Sequence, residues 1–279
     1  MKGSFVGAFH RMELLTGTES LKKLAQKSVI IFGVGGVGSW CAEALIRSGI
    51  KRLTIVDSDL ICVTNINRQV QATHQTIGAV KVTELGKRLL EINPDAEVNA
   101  VQKIFSKDTE EEFDFSDFDY VIDAIDSLSN KVSLLQRAMN SPTKLFCALG
   151  ASCKLDPTRI QVSSIWDSYG CRLGKLVRKR LRRRGAKGDF LCVWSDELLG
   201  GYETEWGCAS DTCFCPQSPK EDQEDAMVHE WCSKKKKING SAVHITAIYG
   251  FTLAGLVIQD IVKTEESLTG TVKAQGASV

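Results

Sequence analysis

The sequence predicts an α/β protein with a Rossmann-like, mostly parallel sheet flanked by helices. Three observations predict it: short β-branched runs alternate with longer helical patterns, a G-x-G-x-x-G loop follows the first run, and an aspartate closes the next. The first run, "SVIIF" at 28–32, leads into "GVGGVG" at 33–38. After it, Val37, Trp40, Cys41, Ala44 and Leu45 recur at i, i+3, i+4, i+7 and i+8, one apolar stripe on a helix. "RLTIV" at 52–56 is the second strand and "AEVNAV" at 96–101 the third. Between them a helix is expected over 79–92, halted before Pro94, whose ring disfavours helical geometry in the preceding residue. "YVIDAI" at 120–125, a helix over about 130–140 and "KLFCAL" at 144–149 complete the alternation.

The 279 residues suffice for a sizeable core and are read as a single domain, 1–279. With 35 basic and 34 acidic residues, overall charge favours neither nucleic acid nor membrane, so such a role has to come from local clusters. Ten cysteines, and an opening "MKGSFVGAFHRMELLTG" without a signal-peptide apolar stretch, predict free thiols in a reducing compartment, cytoplasmic or organellar. The longest apolar run, 242–262, approaches membrane-spanning length but carries His244, Gln259 and Asp260, so a buried core helix and no membrane are expected. The segment 175–185, "KLVRKRLRRRG", is strongly basic, and 208–237 is polar and charge-blocked, as in a mobile insertion.

Gly33, Gly35, Gly36 and Gly38 lie between a strand and a helix, and Asp57 follows 19 residues after Gly38. Glycine permits the turn and a close approach of backbone to phosphate, the helix start supplies oriented N–H groups, and Asp57 is placed to accept from ribose hydroxyls. The loop alone leaves open whether the ligand is a dinucleotide or ATP. The stretch "VDSDLICVTNINRQV" adds Asp57, Asp59, Asn65, Asn67, Arg68 and Gln69, and "GAVK" and "DAIDS" add Lys81 and Asp126. ATP cleavage needs fixed cations where charge develops on the leaving pyrophosphate, and Mg²⁺ needs oxygen ligands. Singly, Arg68 reads equally as a surface charge, Lys81 as a solvated helix residue and Asp126 as a helix N-cap.

The series "FHR", "GVGGVGS", "VDSD", "TNINRQ", "GAVK" and "DAIDS" resembles the ubiquitin-activating-type, ThiF/MoeB-like adenylating enzymes over roughly residues 5–165. Within that superfamily, "RMELLTG", "GASCKLDPTRIQVSSI", "KLVRKRLRRRG" and "VWSDE" look like the tRNA threonylcarbamoyladenosine dehydratases, which use ATP to cyclise a threonylcarbamoyl side chain on tRNA. The resemblance implies that Gly33, Gly35, Gly36 and Gly38 cradle phosphate, Asp57, with Asp59 beside it, holds the ribose, and Asn67, Arg68 and Lys81 contact the triphosphate. It implies Mg²⁺ at Asp126, and a homodimer in which Arg11 reaches into the partner's ATP site.

The chemistry follows from that substrate. A carboxylate oxygen attacks the α-phosphate of ATP, pyrophosphate leaves, and the carbamoyl group of the same side chain then displaces AMP, so no enzyme thiol is needed. Many adenylating relatives use a cysteine to take up the acyl group or carry sulfur, relatives of the dehydratase subfamily often have one just before the C-terminal apolar helix, and a sulfur-relay partner protein stays open. Here that neighbourhood has Ser241. Cys208, Cys213, Cys215 and Cys232 fall in the polar segment without paired C-x-x-C spacing, whereas Cys41, Cys62 and Cys147 read as core. Arg178, Lys179, Arg180, Arg182, Arg183 and Arg184 put six cations in seven positions, either a solvated helix or a docking surface for tRNA phosphates. The alternatives are adenylation of a sulfur-carrier or ubiquitin-like protein's C-terminal carboxylate, an inactive nucleotide-dependent scaffold, and an oxidoreductase, for which no hydride-transfer site accompanies the loop.

Overall fold

The structure is a computed structural model that describes residues 7–200 and 239–269, with side chains through 263. The segment 208–237 and its four cysteines lie outside the described residues. Seven strands form one sheet in the order β3-β2-β1-β4-β5-β7-β6, with β1 Ser28–Phe32, β2 Arg52–Val56, β3 Glu97–Val101, β4 Tyr120–Asp123, β5 Lys144–Ala148, β6 Ile160–Ser164 and β7 Leu191–Ser195. All neighbouring pairs are parallel except β6 with β7.

All five residues of β1 are buried, which is why it reads as an unbroken apolar run: both faces are covered. Val29 and Ile31 face one core and Ile30 and Phe32 the other, as the two-residue period of a strand requires. The first core is closed by α3 (Gly38–Arg47), α4 (Lys81–Ile92) and α7 (Val243–Thr269). The second is closed by α5 (Leu128–Met139) and α6 (Arg172–Arg183). At the N-terminal side, α1 (His10–Thr16) buries no residue, and α2 (Thr18–Gln26) contributes Leu24 to the first core.

Helix α7 is long and apolar enough over 243–263 to cross a membrane by length and composition, yet half of its apolar window is buried inside the fold. Ile245, Tyr249, Leu253, Val257 and Ile261, four residues apart, form its core stripe. Gly250 brings it against α3, because a Cβ there would stand 2.5 Å from the Val37 carbonyl oxygen and 2.8 Å from the Cys41 nitrogen. Asp260 accepts a hydrogen bond from Tyr120 Oη at 2.8 Å and pairs with Lys144, which pins the helix to the sheet. The expected core helix is therefore present.

The first five strands start and end within two residues of their expected limits, and α4 begins at Lys81, two residues after the expected start. Strands β6 and β7 were not legible as elements. β6 is an edge strand with no fully buried residue, so it lacks an apolar signature, while β7, buried at four of its five residues like β5, follows the basic helix rather than continuing the regular alternation. The order β3-β2-β1-β4 reverses the direction of winding between β1 and β4, which places a ligand crevice outside their carboxyl ends.

Candidate active site

The glycine loop sits at that switch point, and its glycines have different reasons. Gly33 has φ +84°, and a Cβ there would meet the Ala124 carbonyl oxygen at 2.9 Å. A Cβ on Gly38 would lie 1.9 Å from the Gly33 carbonyl oxygen, so that position admits glycine alone. At Gly36 the neighbours at 3.2 Å are Arg68 Cγ and Thr246. Gly35 has nothing nearer than Gln69 Nε2 at 3.9 Å, so the loop has an open side there. Helix α3 begins at Gly38 with no side-chain cap, which leaves the loop's own backbone to present the helix start to a ligand.

Asp57, just beyond β2, ties this loop to the strand. Its carboxylate accepts from the Val34 N–H and from the Asp59 N–H, each at 2.9 Å. Lys81, at the first position of α4, reaches the same carboxylates: its Nζ is 2.7 Å from Asp59 Oδ2 and 3.8 Å from Asp57 Oδ1, with only 7% of the side chain exposed. Burial works against the charge on Lys81, but Asp57, Asp59 and then Asp126 outweigh it and hold the ammonium above its ordinary pKa. Lys81 is thus a permanent cation between three acidic groups. Asp126 is exposed on the turn after β4 and completes the cluster from the other side of the switch point. It is not the N-cap of α5; Ser127 takes that place.

Arg68 follows a short 3₁₀ turn, Val63–Asn65. Its main-chain carbonyl accepts from Trp40 Nε1 at 3.0 Å, and its Nη1 donates to the Thr64 carbonyl at 2.8 Å and to Asn67 Oδ1 at 3.0 Å. The side chain therefore lies along Gly36 with its guanidinium beside Asn67. Asn67 in turn donates to the Ser241 carbonyl at 2.9 Å, which brings the residues before α7 to the glycine loop. Gln69, 5% exposed, keeps its Oε1 without a partner next to Gly35, and buried Gln71 donates to the Val34 carbonyl at 2.9 Å. A buried acceptor without a donor beside an open glycine fits a ligand that brings hydroxyl or amino groups.

The fold thus brings together Gly33, Gly35, Gly36, Gly38, Asp57, Asp59, Asn67, Arg68, Lys81 and Asp126. It does not bring Arg11: that residue is exposed on α1, and among the described residues no hydrogen bond or ion pair joins it to the loop. Among the described residues no group of three His, Cys, Asp or Glu side chains could hold a metal alone. The donors present are carboxylate oxygens, which suit a hard cation such as Mg²⁺ shared with a polyphosphate. The six described cysteines are free, and Cys41, Cys62 and Cys147 are buried as expected. Burial raises the Cys41, Cys147 and Cys192 thiols, the last to about 12, so none is a ready thiolate. The sequence does not show that Trp40 bonds the Arg68 carbonyl, that Thr246 packs on Gly36 or that the Ser241 carbonyl meets Asn67, because each is a contact between distant segments.

Helix α6 lies on the other half of the sheet. It is held by Val177 and Leu181 in the core and by Gly174, whose missing side chain leaves room for Leu149. Lys175, Lys179, Arg180, Arg182 and Arg183 are exposed. Arg182 lies over the Trp166 ring at 5.3 Å, Arg180 and Arg184 reach Ser129 and Gln136, and among the described residues no carboxylate pairs with any of them.

Residues 10–274 match the ThiF family. The tRNA threonylcarbamoyladenosine dehydratase of Bacillus subtilis is 34% identical over 92% of this chain and 96% of its own length, and that of Haemophilus influenzae 34% over 88% and 89%. The fold matches the crystal structure of the E. coli tRNA N6-threonylcarbamoyladenosine dehydratase in complex with ATP at a TM-score of 0.78, with 28% identity over 95% of this chain and 98% of that one. By extent of match and by fold, the chain belongs to the ThiF family and, within it, to the tRNA threonylcarbamoyladenosine dehydratases.

Proposed function

We propose that the protein is an ATP-dependent dehydratase that cyclises the threonylcarbamoyl side chain of a modified adenosine in tRNA. The observation that carries this reading is the convergence of Arg68, Lys81 and Asp126 on a glycine loop whose open side is at Gly35. In this reading the loop backbone and α3 hold the triphosphate, Asp57 and Asp59 the ribose, and Asn67, Arg68 and Lys81 the phosphates. Gln69 Oε1, unpartnered in the free protein, gains a donor from the nucleotide. Asp126 is the residue that would hold Mg²⁺, which when bound supplies charge neutralisation to the pyrophosphate.

The threonyl carboxylate is a poor electrophile until one of its oxygens attacks the α-phosphate of ATP. A P–O bond forms, the α–β bridge breaks, and pyrophosphate leaves while Arg68 and Lys81 stabilise its charge. The carbamoyl group of the same side chain then attacks the acyl carbon and expels AMP, with loss of a proton. The net change is removal of one water from the side chain, driven by ATP cleavage. No covalent thiol step is needed, in keeping with Ser241 before α7 and with the buried thiols.

The exposed cations of α6 serve as the docking surface for tRNA phosphates: their charge has no acidic partner among the described residues, and it is concentrated on one helix of a chain of net charge +1. We read the chain as one adenylating domain that works as a homodimer in the cytoplasm or an organelle. Leu14 and Leu15, 74% and 80% exposed on the helix that carries Arg11, are the apolar side chains that a second copy would cover there. The test is AMP release from ATP and Mg²⁺ by the purified protein. Release that depends on tRNA bearing threonylcarbamoyladenosine supports the reading. Equal release with unmodified tRNA, or release that requires an added carrier protein, removes it.

A further inference from the structure

We propose that Lys131 is a positioning residue for this reaction, acting through Asp126. Lys131 on α5 and Asp123 at the end of β4 are both completely inaccessible to solvent. Lys131 Nζ donates to Asp123 Oδ2 at 2.7 Å and to the Ile125 carbonyl at 2.8 Å. The other Asp123 oxygen accepts from the Ile125 N–H at 3.0 Å, and Cys147 donates to Asp123 Oδ2 at 3.3 Å. Each member of the pair therefore holds one main-chain polar group of Ile125, the residue immediately before Asp126.

From the opposite side, the Ala124 N–H donates to the Phe32 carbonyl at 2.9 Å, and the Ala124 carbonyl oxygen fills the space that a Gly33 side chain would need. The turn after β4 is thus clamped between the glycine loop above and a buried ion pair below. A buried ion pair is a poor way to stabilise a core, because desolvation offsets the Coulomb gain and apolar residues of equal volume do as well. What an apolar pair cannot do is bind both the N–H and the C=O of Ile125. That function sets the direction in which Asp126 leaves the turn, and with it the distance from Asp126 to Lys81 and to the triphosphate. This inference rests on the role given above to Asp126.

The test compares wild type, Asp126→Ala, Lys131→Met and the double variant Lys131→Met/Asp123→Asn, which leaves no lone charge in the core. Thermal unfolding establishes folding, amide hydrogen exchange of residues 124–127 reads the turn in the free protein, and AMP formation is titrated with Mg²⁺. The expected result is a folded double variant with faster exchange across the turn. Its kcat falls roughly 10- to 100-fold, the usual cost of removing a group that orients a ligand residue, with a raised half-saturating Mg²⁺ and an unchanged KM for tRNA. In the Asp126→Ala background the Lys131 substitution adds no further loss. A double variant that folds with wild-type kcat, Mg²⁺ dependence and exchange, or that does not fold, overturns the proposal: the pair would then serve the core and not the turn. If Asp126→Ala itself keeps full activity, the reading of Asp126 is what fails.

Discussion

At the carboxyl ends of β2 and β4, and between α3 and α4, the protein buries carboxylates and lysines against opposite charges, whereas along α6 it exposes cations that have no acidic partner among the described residues. Lys81 is enclosed by Asp57 and Asp59, Lys131 by Asp123, and Glu43 on α3 by Arg88 on α4 and Arg47. Among the described residues the polar contacts of the α6 cations are to hydroxyls and an amide, with Arg182 over the Trp166 ring. Enclosed charges are screened little by salt and fix geometry; exposed ones attract a polyanion at range and are strongly screened. The first arrangement suits a small, charged leaving group that must be met at set distances. The second suits a long phosphate backbone that has to be captured but not yet read.

The largest effect is expected from Gly38→Ala, because the new Cβ would overlap the Gly33 carbonyl oxygen at 1.9 Å. Loss of the loop's conformation, and with it of ATP binding by calorimetry, is the expected outcome. Gly35→Ala, with nothing nearer than 3.9 Å, is expected to keep the fold and lose only affinity for ATP. If the two variants behaved alike, glycine would serve the turn alone and not access to phosphate.

Next come Arg68→Ala and Asp126→Ala, each expected to lower kcat for AMP formation roughly 100- to 1000-fold with little change in melting temperature. An effect confined to KM for ATP would make these residues ground-state binders. On α6, Lys179→Glu with Arg183→Glu should raise KM for tRNA about tenfold at moderate salt and reduce the slope of log affinity against log salt by roughly 2, while ATP binding is untouched. A salt slope that did not move would show that tRNA docks elsewhere.

The smallest effect is on stability. Burial alone would raise the Glu43 carboxyl, but its bonds to Arg88 and Arg47 prevail and hold it below the ordinary carboxylate range. A carboxyl whose pKa is lowered on folding stabilises above its unfolded value and loses that contribution as pH falls through the folded value. Glu43→Gln is therefore expected to cost about 1–2 kcal/mol at neutral pH, and the difference from wild type should shrink once pH drops below about 4 in chemical denaturation. A difference that persisted in acid would mean that packing, not charge, accounts for it.

Much of the nucleotide half was legible because its signals are local in the chain. Buried parallel strands read as continuous apolar runs, as "SVIIF" does, and a glycine loop keeps its spacing wherever it is put. Asp57, Arg68, Lys81 and Asp126 fell at the ends of recognisable elements, and the fold joins them where the order of strands reverses. The rest depends on contacts between distant segments. Nothing in "SNKVSLL" marks Lys131 as buried, since a lysine in a helix is ordinarily solvated, and its partners, the Asp123 carboxylate and the Ile125 carbonyl, lie outside that stretch. Asn67 with Ser241, and Gly36 with Thr246, are pairings across more than half the chain. β6 stayed hidden because an edge strand with polar residues has no apolar alternation to read.

The central claim is that Arg68, Lys81 and Asp126 around the glycine loop activate a carboxylate on an RNA docked along α6. The most direct measurement is the mass of the modified nucleoside after tRNA bearing threonylcarbamoyladenosine is incubated with the protein, ATP and Mg²⁺, then digested. The account predicts a nucleoside lighter by one water, formed only with ATP and not by the Arg68→Ala variant. A nucleoside of unchanged mass, with ATP bound at the loop and tRNA bound to the protein, would contradict it.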